Sequence, residues 1–505
     1  MKTYNINTTF VLGLLLLLWS CGIEDYQDNP NKPSEGTPSL LLPRLIEKTF
    51  YDGNPATAGF TSQLLFYTER AESAQYWGWS TTGLGAYEDL KQAELMEESA
   101  SEAAQPAYVA IAKLFKQILF YELTREVGDI PYTDALKATE GNFSPKYDTQ
   151  KTVFQSILSE LEDVNKILLE NSDAVITGDI LYNGDILKWQ KLGNSYRLKI
   201  LMDLSMKASD ADLNIAQDFN KVFTNPATYP IFESNQDMPR FKFYDLDGNR
   251  APTYDKTVTK VKTKLTSTLV DYMKQTTDYR LFAYAEPAWP EGSDSWSEAQ
   301  KDEYRALFSS YAGLDPGGAW GDEIKKNASN IHWRYYESPT VEDYCKFTFA
   351  ELNFIIAEAS VRKWINADAA TYYKKGVEAS MSFYDVQNTD IEEYWQNPSS
   401  AFVGSNNVDD ALEQINMQRW VAYFMNSNWE GYFNNRRTKV HALGTENDGV
   451  PHFKISTSHI ATHMPMRWLY PQSEYSTNAV NVAEAVQRQF NKADETLFDI
   501  IWMLK

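Results

Sequence analysis

The sequence predicts a mostly α-helical fold, in which paired helices form a scaffold around an irregular, loop-rich part. Apolar residues recur at three- and four-residue steps, which is the spacing of one helix face, in three segments: 107–127, 148–170 and 187–206. Residues 207–340 lack this period and are rich in Asp, Asn, Pro, Gly and aromatic residues. Because a segment with so many aromatic residues is not typical of disorder, we expect irregular structure with short strands there.

Capping residues mark the ends of these predicted helices. Asp148 and Thr149 stand just before the apolar pattern of the second segment, and short polar side chains accept the first free N–H groups of a helix. The first segment runs into Gly128-Asp129-Ile130-Pro131, where glycine and proline stop a helical pattern. Residues 408–426 and 479–491 are also predicted to be helical.

Residues 346–384 contain the clearest pair of helices. Two helical patterns are separated by a turn at Asn366-Ala367-Asp368. Ala357, Ala359 and Gly376 would let the two helices approach closely because their side chains are small or absent. Two helices in a unit of this length resemble a tetratricopeptide-type hairpin.

The N-terminus reads as a secretory signal. Lys2 precedes an apolar run from Phe10 to Trp19, which is followed by the small residue Ser20 and then by Cys21. The run is too short to span a bilayer, which needs about 20 residues. Leu18-Trp19-Ser20-Cys21 resembles a bacterial lipobox, which implies that Cys21 becomes the first mature residue and carries lipid. The alternative is an ordinary signal peptide with an incidental cysteine.

The chain is therefore expected to have three parts. Residues 1–20 form the signal peptide, and residues 21–38 form a flexible tether, because they are polar, Pro-rich and weakly acidic. Residues 39–505 are expected to form a single domain. In that domain, residues of about 39–206 and 341–505 form the helical scaffold. Residues of about 207–340 form an irregular insert between them.

Charge and cysteine content exclude some classes of protein. The net charge is −22 and no Lys/Arg-rich block is present, so we expect no nucleic-acid partner. Such acidity is typical of solubility outside the cell. If Cys21 is lipidated, the second cysteine, Cys345, has no partner for a disulfide. We expect Cys345 to be a buried small apolar side chain.

Signatures of common enzymes are missing from the sequence. It contains no Gly-x-Ser-x-Gly elbow, no Walker loop and no dinucleotide-binding fingerprint. A glycosidase needs only two well-placed carboxylates, and with 69 Asp and Glu residues the sequence leaves that alternative open. We predict a protein that is not an enzyme.

A first group of candidate ligand-binding residues lies near residue 77. Tyr76, Trp77 and Trp79 place three aromatic rings within four residues, beside glycines. A sugar ring presents an apolar C–H face, so exposed flat rings suit stacking against it. Arg70 and Gln75 could supply hydrogen bonds at the rim. The alternative is that the rings fill the core between helices, since residues two apart share one face of an extended segment.

A second group lies in the irregular segment, where Gly and Asp surround several tryptophans. The group consists of Trp289, Trp296, Trp320 and Trp333. Loops carry function more often than scaffold helices do, and from the sequence context we expect Trp296 and Trp320 to be the most exposed. The alternative is that the rings form the core of the irregular part.

His459 and His463 form an i, i+4 pair that could share a helix face and bind a metal. A surface or capping role is favoured, because no neighbouring glutamate completes a metalloprotease motif. No EF-hand-like loop is present. We predict no cofactor and no metal site, although an acidic chain can hold a structural Ca²⁺.

Several segments resemble the SusD/RagB family of outer-membrane nutrient-binding lipoproteins. They occur in the family's order and, behind the lipobox, cover nearly the whole chain, with residues 207–340 matching least. The segments are Gly128-Asp129-Ile130-Pro131-Tyr132, Tyr147-Asp148-Thr149-Gln150, Trp189 to Leu198, Phe349 to Leu352 with Ile356 to Ala359, Asn434 to Thr438, and Pro465 to Pro471.

The resemblance implies four tetratricopeptide-like helix pairs and an irregular part that carries the ligand face. It also implies a lid on a TonB-dependent transporter barrel, which captures glycan or, in some branches, peptide. Arg436, Arg437 and the Arg467-Trp468 pair belong to the closing motifs, and the family pattern implies that they pack the last segments on the repeats.

We therefore predict a surface-exposed lipoprotein of the outer membrane that binds oligosaccharide without cleaving it. It would deliver the oligosaccharide to a TonB-dependent SusC-like transporter. The same architecture binding peptides is the alternative, and a surface glycan hydrolase is a third hypothesis. The candidate ligand-binding residues are Arg70, Tyr76, Trp77, Trp79, Trp289, Trp296 and Trp320.

Overall fold

The computed structural model describes most of the chain from residue 36 onward. The described residues are 36–51, 53, 55–340, 343–438, 449–456, 458 and 464–505. The predictions for the signal peptide and for Cys21, His459 and His463 lie outside these residues.

The first half of the scaffold is a series of helices, most of which pack on helices close to them in the sequence. The helices are α1 (Pro38–Phe50), α2 (Pro55–Thr61), α3 (Ala86–Glu102), α4 (Pro106–Val127), α5 (Gln150–Glu170), α6 (Ile186–Asp203) and α7 (Ile215–Thr224). Helix α4 contacts both α3 and α5, and α5 contacts α6. This order produces antiparallel pairs, as the prediction of a mostly helical fold requires.

The predicted start of α5 and the predicted end of α4 are confirmed. The Thr149 hydroxyl accepts a hydrogen bond from the backbone N–H of Thr152 at 3.2 Å, which caps α5. Asp148 has a different role, because its carboxylate accepts the backbone N–H groups of Tyr132 and Thr133 at 3.0 and 2.8 Å. Helix α4 ends at Gly128, whose φ of +98° is a conformation that favours glycine.

Short elements make up the irregular part. Its helices are α8 (Ser267–Gln275), α9 (Arg280–Tyr284), α10 (Glu298–Arg305) and α11 (Trp320–Glu323). The strands of this region are β1 (Leu65–Tyr67), β2 (Arg240–Phe241), β3 (Thr263–Leu265) and β4 (Tyr344–Cys345). They form two antiparallel pairs, β1 with β3 and β2 with β4. Since β1 and β4 lie outside residues 207–340, both pairs attach the irregular part to the scaffold.

The second half of the scaffold contains the predicted hairpin. Its helices are α12 (Phe349–Val361), α13 (Ala369–Phe383), α14 (Asn388–Gln396), α15 (Val408–Ala422), α16 (Glu430–Arg437), α17 (Gln472–Thr477) and α18 (Ala479–Phe490). Helices α12 and α13 form the predicted pair, and Asp368 caps α13 through the backbone N–H of Thr371. A Cβ added at Gly376 would lie 2.7 Å from the Phe354 ring, so glycine permits this approach, as predicted.

One large apolar core joins the two halves of the scaffold. It includes residues from α4, α5, α6 and α12, and smaller clusters lie under β1 and β3 and between α12 and α15. Cys345 is fully buried, as expected from the sequence, and burial raises the pKa of its thiol to about 12. Among the described residues, none of the helices has both the length and the apolar character to span a lipid bilayer.

Buried ion pairs also connect the two halves. Arg125 in α4 contacts Glu430 at 2.8 Å, and Lys199 in α6 contacts Glu351 at 2.6 Å. Burial opposes ionisation of Glu430, but the charges of Arg125 and Lys199 hold its pKa well below the usual range. Removing one partner of such a pair leaves an uncompensated buried charge, which costs about 3–5 kcal/mol.

The arginines of the closing motifs are structural, as predicted. Arg437 makes two 2.8 Å contacts with the carboxylate of Glu358. Arg436 donates a 2.6 Å hydrogen bond to the Met466 carbonyl, and Arg467 pairs with Glu495 at 2.6 Å. All three guanidiniums therefore hold the last segments on the helical repeats.

Candidate functional site

Two tryptophans of the irregular part form an aromatic surface with a neighbouring tyrosine. The ring centres of Trp289 and Trp296 lie 6.3 Å apart, and Tyr304 lies 5.6 Å from Trp289 and 5.3 Å from Trp296. The planes of Trp289 and Tyr304 differ by 33°, while Trp296 stands at 78° to both. All three residues are partly exposed. We call Trp289, Trp296 and Tyr304, together with Arg305, the aromatic surface.

Helix α10 positions half of this surface. The Ser297 hydroxyl accepts the backbone N–H of Gln300, and the Gln300 side chain accepts the backbone N–H of Ser297. This capping box fixes the start of the helix directly after Trp296. The last turn then carries Tyr304, whose hydroxyl donates to the Ala288 carbonyl at 3.3 Å, next to Trp289.

The charge of Arg305 lies against the rings. Its guanidinium is 5.2 Å from the centre of the Trp289 ring, within the range of a cation–π contact. Asp302 contacts the same guanidinium at 2.8 Å, and Glu298 does so at 4.0 Å. Trp289 therefore contacts a cation that is paired with carboxylates, as well as its aromatic neighbours.

A polar rim continues from the aromatic surface through His332 and Glu286. The Nε2 atom of His332 is 3.6 Å from a carboxylate oxygen of Glu286, and Nδ1 accepts the backbone N–H of Arg334. Burial, with the charges of Arg334 and Arg305, lowers the pKa of His332 to about 4. Burial also raises the pKa of Glu286. The imidazole is therefore neutral at pH 7, with Nε2 as its donor.

Trp333 extends the surface beyond this rim. Its ring centre lies 4.8 Å from that of His332, and the residue is 47% exposed. Within the described residues, the indole N–H groups of Trp289, Trp296 and Trp333 donate no hydrogen bond to the protein. The arrangement therefore combines flat apolar rings with free donors and a charged edge, which suits the C–H faces and hydroxyl groups of a sugar.

Two predicted site residues are buried instead. Tyr76 is 2% exposed and Trp77 is 1% exposed. The Trp77 indole donates to the Thr61 carbonyl at 3.2 Å, and Gln75 donates to the Tyr76 hydroxyl at 2.8 Å. The prediction that Tyr76 and Trp77 bind ligand is wrong, because both rings fill the core around α2 and cannot stack against a ligand from solution.

Trp79 lies apart from these two rings. It is partly exposed and stacks on Trp468, with ring centres 5.3 Å apart and planes 24° apart. Trp429 and Tyr432 approach it edge-on at 5.7 and 5.3 Å. Trp79 thus belongs to a second aromatic group against the scaffold, and its contact with a ligand stays a prediction.

Arg70 and Trp320 meet at Tyr67 rather than at the aromatic surface. The exposed guanidinium of Arg70 lies 5.9 Å from the Tyr67 ring and pairs with Glu72 at 3.2 Å. The Trp320 indole donates to the Tyr67 carbonyl at 3.0 Å. Trp320 packs on a small buried cluster that contains Phe66. Ligand binding by Arg70 and Trp320 also stays a prediction.

The expectation that Trp296 and Trp320 are the most exposed tryptophans of this segment is wrong. Both are only partly exposed, whereas Trp333 is nearly half exposed. Trp296 packs against Trp289 and Tyr304, and Trp320 uses its indole N–H inside the protein. The neighbouring residues in the sequence did not indicate these contacts of Trp296 and Trp320, because the contacts depend on how distant loops fold together.

Four residues of the site were missed in the sequence. Tyr304 and Arg305 end α10, and Glu286 and His332 come together from separate parts of the irregular segment. The capping pattern from Ser297 to Gln300 could have predicted a short helix that begins after Trp296 and carries Tyr304 and Arg305 in its last turn. Nothing in the sequence could have brought Glu286 next to His332.

In the described part of the chain, His, Cys, Asp and Glu side chains form no group of three or more suited to a metal ion. The expectation of no cofactor and no metal site stays a prediction.

A protein-family model matches most of the chain. The model is that of a SusD-like family, described as starch-binding and associating with the outer membrane, and it matches residues 30–471. No functionally curated protein matches the chain closely enough to count as a relative.

Solved structures of similar proteins share the fold. A SusD homologue from Bacteroides fragilis is 32% identical, with a TM-score of 0.82, over 93% of this chain and 100% of its own. A second SusD homologue from the same species is 29% identical, with a TM-score of 0.83 and the same coverage. A chitin-binding protein is 26% identical, with a TM-score of 0.72, over 92% of this chain and 99% of its own.

Proposed function

Because the chain belongs to the SusD-like family of binding proteins that associate with the outer membrane, we propose that it captures oligosaccharide at the cell surface without cleaving it. In this proposal Cys21 carries the lipid that anchors the protein to the outer membrane. The bound oligosaccharide passes to a TonB-dependent SusC-like transporter, for which the protein serves as a lid.

The aromatic surface is the observation that carries the proposal. Trp289 and Trp296 offer partly exposed rings whose indole N–H groups donate no hydrogen bond among the described residues, and the Arg305 guanidinium lies 5.2 Å from the centre of the Trp289 ring. Sugar rings bind through apolar C–H faces and hydroxyl groups, so they need both kinds of partner. A peptide does not require a cluster of indoles, which favours oligosaccharide over the peptide alternative.

The N-terminal sequence supports the cellular location. A short apolar run ends at Ser20-Cys21, and the acidic residues Glu24 and Asp25 follow soon after. Acidic residues close behind a lipidated cysteine resemble the surface-export signal of some Gram-negative lipoproteins. Lipid attachment at Cys21 would be shown by a mass increase of the N-terminal peptide, which a Cys21→Ala variant lacks.

A binding screen with product analysis tests the proposed function. The mature protein is titrated with neutral and acidic oligosaccharides and with peptides, and each mixture is then checked for new reducing ends. Glycan binding without new reducing ends is the expected result. Binding of peptides alone would replace the ligand class, and release of reducing ends would make the protein a glycan hydrolase.

A further inference from the structure

A cleft lies on the scaffold, and the segments that line it differ from those that carry the aromatic surface. It has a volume of about 660 Å³ and lies between α7, the turn that joins α12 to α13, and the loop at Ser405. Ligand sites in proteins commonly fall between about 300 and 1,000 Å³. We call it the scaffold cleft, and its lining includes Gln217, Asn220, Lys363, Trp364, Asn366 and Ser405.

One aromatic ring forms the apolar part of the scaffold cleft. Trp364 is partly exposed and packs on Phe219 of α7, with ring centres 5.8 Å apart and planes 63° apart. Within the described residues its indole N–H donates no hydrogen bond. Packing on one side and exposure on the other hold an indole in place while leaving part of it for a ligand.

Three amide side chains line the scaffold cleft together with this ring. Gln217 and Asn220 are three residues apart in α7 and therefore share one helix face, while Asn366 stands in the turn opposite. All three are exposed, and in the described part of the chain none of them forms a side-chain hydrogen bond. Each amide offers two donors and an acceptor, which matches hydroxyl groups that both donate and accept.

The charges of the scaffold cleft are nearly balanced. Lys363 is exposed, and the structure gives it no ion pair among the described residues. The carboxylate of Asp368 accepts hydrogen bonds from the backbone N–H and the hydroxyl of Thr371 at 3.1 and 2.5 Å. Because Asp368 is engaged in capping α13, other groups are left for a ligand. They are the Trp364 indole, the three amides, the Ser405 hydroxyl and the Lys363 ammonium.

We infer that the scaffold cleft is a second glycan-binding site, which takes a neutral oligosaccharide through stacking on Trp364 and hydrogen bonds to the amides of Gln217, Asn220 and Asn366. The inference goes beyond the proposed function, and rests on it only for the class of ligand. The two sites use different residues and different elements, so each can be removed while the other remains.

Isothermal titration with maltoheptaose and with chitohexaose tests the inference. The starting variant is Trp289→Ala/Trp296→Ala, in which the aromatic surface is disabled. This variant is expected to retain weaker, saturable binding of at least one oligosaccharide. Adding Gln217→Ala/Asn220→Ala to it is expected to weaken that remaining binding at least tenfold, and Trp364→Phe, which keeps the packing on Phe219, is expected to weaken it as well.

Gln155→Ala/Gln487→Ala is the matched control, because it removes two exposed helical amides outside the cleft. Thermal unfolding of every variant checks that the fold is retained. Retained binding that is insensitive to the cleft substitutions, or no binding in the starting variant, would overturn the inference and leave the proposed function intact. Absence of binding to the wild-type protein would overturn both.

Discussion

The guanidinium of Arg305 lies 5.2 Å from the centre of the Trp289 ring, at the end of a helix that begins directly after Trp296. One short helix thus links both tryptophans of the aromatic surface. Its capping box at Ser297 fixes the start of the helix, and the ion pair with Asp302 fixes the cation at its end. This helix therefore sets the spacing between the two ends of the aromatic surface.

Replacing Arg305 by alanine is expected to weaken oligosaccharide binding about two- to fivefold. A cation–π contact at a partly exposed site contributes about 0.5–1 kcal/mol, and its loss frees Trp289 to move. Titration of the variant with the ligand found in the screen measures the change. Arg250→Ala, which removes an exposed arginine paired with Asp245, is the control. Equal affinities of the two variants would contradict this role.

Replacing Trp77 by alanine is expected to destabilise the protein by about 3–5 kcal/mol, since it removes a fully buried ring and leaves a cavity. The free energy of unfolding, measured with denaturant, gives the size of the loss. If Trp77→Ala instead kept its stability and lost ligand affinity, the ring would belong to the binding site after all.

Replacing Gly376 by alanine is expected to lower stability by about 1–3 kcal/mol, the usual cost of overpacking. The added Cβ would lie 2.7–2.9 Å from atoms of the Phe354 ring, where α12 and α13 approach each other. Thermal unfolding measures the effect. Gly83→Ala is the matched control, because its added Cβ has no atom within 4 Å. A stability equal to that of the control would contradict the close approach.

The neutral state of His332 predicts a dependence of stability on pH. Its pKa is lowered to about 4 in the folded protein, against about 6.5 when unfolded. The unfolded chain therefore binds more protons as the pH falls from 6.5 to 4, so His332 lowers the stability in that window. The pKa of Glu286 is raised by burial, so the folded protein binds this proton more readily than the unfolded chain does. Glu286 therefore raises the stability as the pH falls at the lower end of the window.

A comparison of variants separates the two groups. His332→Asn can still accept the backbone N–H of Arg334 but does not titrate. We expect the difference in free energy of unfolding between this variant and the wild-type protein to change between pH 6.5 and 4. A difference that stays constant with pH would show that His332 is not held neutral.

Much of the scaffold could be predicted from the sequence because the signals for its helices are local. The apolar period of α5, the cap at Thr149 and the stop at Gly128 all act within a few residues. The pair α12 and α13 was predictable for the same reason, since Gly376 and the turn at Asp368 lie within one hairpin.

The candidate site was less predictable, because its geometry comes from loops that meet at long range. Trp77 and Trp289 look alike in the sequence, each near glycine and other aromatic residues, yet one is core and the other is surface. The neighbours decide the difference. The Thr61 carbonyl accepts the indole N–H of Trp77, whereas the ring of Trp289 contacts Trp296, Tyr304 and Arg305 at the protein surface.

Titration of the Trp289→Ala/Trp296→Ala variant with the oligosaccharide found in the screen tests the central claim most directly. Phe143→Ala, which removes a 77% exposed aromatic ring elsewhere, is the control. Because one central aromatic residue of a binding site contributes about 2 kcal/mol or more, which is about thirtyfold in affinity, we predict at least about a thirtyfold loss of affinity in a variant that still unfolds cooperatively. An affinity equal to that of the control would contradict the assignment of the aromatic surface as the ligand site.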